Sequence, residues 1–102
     1  MREEQQKEYD SNHPVQINDS DITPKGNYWY CNGSVHNVSN STHYYVKVKV
    51  TYMDKNKKVL TTDWAYAVSS EGIKGGENQQ FEIMTKVQGD VQYYKVEIIE
   101  WK

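Results

Sequence analysis

The stretch Tyr44-Tyr45-Val46-Lys47-Val48-Lys49-Val50-Thr51-Tyr52-Met53-Asp54 constrains the fold more than any other. Tyr44, Val46, Val48, Val50 and Tyr52 fall on one parity; Tyr45, Lys47, Lys49, Thr51 and Met53 fall on the other. A strand turns successive side chains to opposite faces, so this segment reads as a strand with one dry and one wetted side. β-branched and aromatic residues dominate it, and it holds no Gly or Pro. Its apolar side needs a second layer, which predicts an antiparallel β-sandwich or barrel.

At 102 residues the chain fits one domain. That length buries roughly two-thirds of its unfolded surface, enough for one core without metal or disulfide staples. Hydrophobic residues make up only 36% of the chain, so aromatics must supply much of the core; there are nine Tyr and three Trp. A net charge of -2 leaves no electrostatic footprint for nucleic acid or an anionic membrane. Cys31 is the single cysteine, so no intramolecular disulfide forms. No apolar run reaches the ~20 residues of a membrane span. Membrane association is expected only through an anchor that this chain does not carry.

Along the chain, residues 1–14 are polar and read as a flexible tail or linker, with the folded domain over 15–102. Val15 and Ile17 read as a short first strand. Asp19-Ser20-Asp21 and Pro24-Lys25-Gly26 read as turns. Asn27 to Val38 is the second strand, with Trp29, Cys31 and Val35 inward, and Gly33 marks a bulge or a close backbone approach. The polar run from Asn37 to Thr42 reads as a hairpin connection into the Tyr44–Asp54 strand. Further strands are expected at Val59 to Val68, Gln80 to Thr85 and Val91 to Trp101, with Ile73 anchoring the loop between the first two. The count is about seven strands, which describes a sandwich.

Three segments together resemble a known family. Gly33-Ser34-Val35-His36-Asn37-Val38-Ser39 is similar to its G-x-V-x-N-x-S strand and turn. Val46 to Lys57 is similar to its V-x-V-x-F-Y-D-x-x-G segment, with Val50 at the aromatic position and Tyr52-Met53 in place of Leu-Tyr. Ile73 to Ile83 resembles its L-x-P-G-E-x-x-x-F loop and strand, with Gly75 in place of Pro. The family is the FxLYD-type immunoglobulin-like domain of bacterial cell-surface proteins and lipoproteins. The resemblance implies an immunoglobulin-like β-sandwich, extracellular or tethered to the outer side of a membrane, with no catalytic residues to carry over.

Candidate chemistry is sparse. The chain has no G-x-S-x-G, H-E-x-x-H, phosphate-cradling glycine loop or C-x-x-C, so neither an enzyme nor a cofactor is expected. Cys31 sits at inward parity, where a packing role outweighs a nucleophilic one. His36 and His43 flank the expected hairpin and could face one another, but a metal site needs a third ligand. Asp19-Ser20-Asp21 and Asp54-Lys55-Asn56 space their oxygens as calcium loops do, yet turn formation explains both.

The outward aromatics are the stronger lead. Tyr28, Tyr30, Tyr45, Tyr93 and Trp101 fall at solvent parity. Tyr and Trp are enriched where proteins recognise partners. The expected function is therefore a non-catalytic interaction or spacer module, recognising a protein partner or a second copy through these rings or through an edge strand. A carbohydrate-binding module is the alternative if the rings share one face, and a metal-binding envelope protein is the alternative if His36 and His43 gain a third ligand.

Overall fold

A computed structural model describes residues 9–102. The expected tail at 1–14 therefore lies partly outside the described residues; Tyr9–Asn12 forms one helical turn before the first strand. The fold is all-β. Six strands follow: β1 Val15–Lys25, β2 Tyr28–Asn37, β3 Val46–Met53, β4 Val59–Val68, β5 Asn78–Lys86 and β6 Tyr93–Glu100. They form two antiparallel three-stranded sheets, ordered β1-β2-β5 and β4-β3-β6. Six strands are seen among the described residues rather than seven. Among these residues no helix is long and apolar enough to cross a membrane.

β3 is the centre of its sheet and the base of the core. Val46, Val48, Val50 and Tyr52 are fully buried, as their parity requires. Each such side chain contributes about 1.5–3 kcal/mol through burial. Facing them from the other sheet are Cys31 and Val35 of β2 and Phe81 and Ile83 of β5, in one cluster. The ring of Trp29 lies 6.1 Å from that of Tyr52, so the two central strands meet through aromatic contact. Ile73 is buried, as expected of a loop anchor.

Hydrogen bonds join the sheets at both sides. Thr85 Oγ1 in β5 donates to Asp63 Oδ2 in β4 at 2.7 Å. On the opposite side, the Tyr94 hydroxyl of β6 donates to the Ser20 carbonyl of β1 at 3.0 Å.

Several local expectations change. Asp19-Ser20-Asp21 is not a turn; β1 runs through it, with a register shift between Ile17 and Asp19. The shift lets Ser34 donate to the Asp19 carboxylate at 2.8 Å and Asn18 donate to Ser34 at 3.2 Å, which stitches a polar segment into a sheet. The Asn37–Thr42 run is not a hairpin connection either. β2 and β3 belong to different sheets, so this chain segment crosses between them. Asn37 holds the crossing: buried, it donates to the Ser41 and Ile73 carbonyls at 2.8 Å each and accepts from the Ser39 N–H and hydroxyl.

Gly33 has the close approach its position implies. A Cβ there would fall 2.3 Å from the Asp19 carbonyl oxygen and 2.7 Å from the Phe81 ring. The turn after Asp54 is built as its residues require, with Asp54 Oδ1 accepting from the Asn56 and Lys58 N–H groups.

Candidate functional site

The outer face of the β4-β3-β6 sheet carries three exposed rings in contact with one another. β4 reads Trp64-Ala65-Tyr66-Ala67, and the large residues point outward. Trp64 is 49% exposed and Tyr66 46% exposed. Register puts Lys47 of β3 opposite Tyr66, and Lys49 opposite Trp64. Trp64 and Tyr66 meet edge to face, with centroids 5.3 Å apart and planes at 81°. Tyr45, 39% exposed, continues the row against Tyr66 at 5.9 Å and 71°.

Lysines rest on these rings. Lys47 Nζ lies 4.1 Å from the Trp64 centroid and 5.5 Å from that of Tyr66. Its other neighbour is the Glu100 carboxylate at 3.7 Å. Lys102 Nζ stands 5.4 Å from the Tyr45 centroid. Such contacts contribute about 0.5–1 kcal/mol each at exposed sites. With these contacts made, all three rings still stay exposed.

Tyr45 has an unusual backbone. Its φ is +49°, in the left-handed region that L residues with bulky side chains avoid. The strain costs of the order of 1–3 kcal/mol. Neighbouring backbone bonds impose it: Tyr44 and Lys102 exchange N–H···O bonds at 2.7 and 2.8 Å, and the Tyr45 N–H reaches the Ser69 carbonyl at 3.3 Å. The same kink takes Tyr44 out of β3, so Tyr44 is exposed rather than inward as its parity implied.

The five rings singled out from sequence do not share a face. Tyr45 and Tyr93 lie on the β4-β3-β6 sheet, at opposite ends of β3, about 27 Å apart by strand rise. Tyr93 is exposed and stands under Lys57 Nζ at 5.2 Å. Tyr28 and Tyr30 lie on the other sheet; Tyr28 sits between Lys25 and Lys86, and half-buried Tyr30 between Thr23 and Met84.

Trp101 is not outward. It is half-buried against the core and lines a cleft between β1 and β6 with Tyr9, His13, Ile17 and Ile98. The reason is a register shift between β3 and β6. Lys47 pairs with Glu100 but Val48 with Ile98, so Ile99 is left over and the faces beyond it exchange. Trp64 and Tyr66 were missed by sequence reasoning. The alternation of large and small residues in Trp-Ala-Tyr-Ala was the available signal.

The histidines take separate partners. His36 Nδ1 is 2.6 Å from Asn78 Oδ1, and His43 Nδ1 is 3.2 Å from the Lys102 carbonyl oxygen. Among the described residues, no group of three or more His, Cys, Asp or Glu side chains is placed to hold a metal ion. Cys31 is fully buried, and its thiol is pushed up to about 11 by burial and by the Asp21 carboxylate. A thiol in that state is a poor nucleophile.

No known family model, curated protein or solved structure matches the chain.

Proposed function

We infer that the chain is a non-catalytic interaction module, an immunoglobulin-like sandwich of a bacterial envelope protein, that recognises a protein partner through Tyr45, Tyr66 and Trp64. The three motif segments that resemble the FxLYD type support the envelope setting. The observation that carries the binding surface is Tyr45: an exposed aromatic ring is kept at a backbone position where glycine or asparagine would relieve strain. A ring retained against its local backbone preference, and joined to two other exposed rings, fits recognition better than stability.

A sugar platform is less well supported. The neighbouring rings meet at 71° and 81°, so they offer no shared flat surface, and Tyr28 lies on the opposite sheet from Tyr45 and Tyr93.

The test compares wild type with Tyr45→Gly and Trp64→Ala in a pull-down from the envelope fraction of the source cell, with circular dichroism to check folding. A partner captured by wild type and lost by both folded variants supports this surface. Equal capture by all three moves recognition to an edge strand or a loop, and no capture by wild type favours a spacer.

A further inference from the structure

Charge on the aromatic face is not distributed like charge on the whole chain. The chain carries a net charge of -2, yet the side chains bordering the Tyr45–Tyr66–Trp64 row are Lys47, Lys49 and Lys102. The outward residues of β4 itself, Thr62, Trp64 and Tyr66, bring no charge. The carboxylates of this face, Glu97 and Glu100, stand on β6, across β3 from the rings.

Those carboxylates are also engaged. Among the described residues the ion pairs are Lys47–Glu100 at 3.7 Å and Lys95–Glu97 at 3.6 Å. Lys49 stands opposite Glu97 in the register, but Glu97 turns to Lys95. Lys49 and Lys102 thus have no carboxylate within ion-pair distance among the described residues, and each borders an exposed ring.

We propose that the partner presents an extended acidic peptide segment with interspersed aromatic or apolar residues, laid along the outer face of β3 and β4. This rests on the aromatic-face reading above. The placement matches: Lys49 stands opposite Trp64 and Lys102 lies against Tyr45, at the two ends of the row, so an extended peptide that reaches both passes over Tyr66. Its carboxylates meet Lys49 and Lys102, and its apolar side chains take the edges of Trp64 and Tyr66. Cations around aromatic anchors steer an acidic partner and fix its register.

The test uses fluorescence anisotropy with a labelled random copolymer of glutamate and tyrosine. Heparin serves as an anionic glycan and a glutamine–tyrosine peptide as an uncharged control. Wild type is expected to bind the copolymer, more weakly as salt is raised, and to leave the uncharged peptide unbound. Lys49→Glu is expected to weaken binding at least about tenfold, because a like charge then meets the ligand. No copolymer binding, equal binding by Lys49→Glu, or binding of heparin alone overturns the proposal. Lys49→Glu run beside Tyr45→Gly in the envelope pull-down separates the two readings. A partner lost with Tyr45→Gly but kept with Lys49→Glu leaves the aromatic face standing and removes the acidic segment; a partner kept by both removes the aromatic face itself.

Discussion

The hydroxyl of Thr85 reaches the carboxylate of Asp63 at 2.7 Å, and the two residues belong to different sheets. The second oxygen of Asp63 accepts from the Trp64 N–H at 2.8 Å, so one carboxylate holds the sheets together and fixes the backbone that presents Trp64.

Replacing Thr85 with valine keeps the shape of this buried side chain and removes the donor. We expect a loss of about 1.5–3 kcal/mol, the usual worth of a hydrogen bond to a charged group. Urea unfolding followed by tryptophan fluorescence measures it, and an unchanged midpoint would show that the bond contributes nothing net.

Asn37→Ala should cost more than a surface change, about 2–4 kcal/mol. It deletes two donated and two accepted bonds at the crossing between sheets and leaves the buried Ile73 carbonyl without that donor. Thermal unfolding checks the size, and hydrogen exchange at Ser39 and Ile73 should accelerate first.

Tyr45→Gly is expected to leave stability unchanged or to raise it. Relief of the positive φ offsets the lost contacts with Tyr66 and Lys102. A clear drop in the melting temperature would mean that the ring is retained for packing.

Tyr52 is fully buried, and its hydroxyl has no protein partner among the described residues. Removing a buried polar atom with no partner removes a desolvation cost, so Tyr52→Phe should be neutral or stabilising. Urea midpoints for the variant and wild type decide it.

Stability should fall in alkali. Burial raises the Cys31 thiol from its ordinary 9.0 to about 11. Burial, with the neighbouring Cys31, Asp63 and Tyr94, raises the Tyr52 phenol as well. Between the unfolded and folded values the native state holds protons that the unfolded chain has released, so stability declines as pH rises. For Cys31 that stability is intact below about pH 9 and is lost as pH climbs towards about 11. Urea midpoints at neutral pH and across that window test the sign, and Cys31→Ala should flatten part of the slope.

Much of this fold is legible in the residues themselves. The alternation in β3 names its buried set, and Trp29, Cys31 and Val35 are inside as parity requires. Sheet membership was not legible, because pairing between distant strands leaves no local mark: nothing in Asn37–Thr42 distinguishes a tight return from a crossing. The polar Asp19-Ser20-Asp21 reads as a turn because its strand conformation depends on Ser34, fifteen positions away from Asp19. Parity arguments failed at Trp101 because one residue, Ile99, stands outside the β3–β6 register. At the candidate site Tyr45 was visible and Trp64 and Tyr66 were not, since β4 has apolar residues on both parities.

The Tyr94–Ser20 bond joins the last strand to the first, each at the border of its own sheet. Mechanical load applied at the two ends of the domain enters through β1 and leaves through β6. Such a pull strains the junction between the sheets where this bond lies, before it reaches the central ladders around β2 and β3. Opening there would part the cleft that holds Trp101, and because Lys102, just past β6, exchanges backbone bonds with Tyr44, the same pull also reaches the backbone kink at Tyr45.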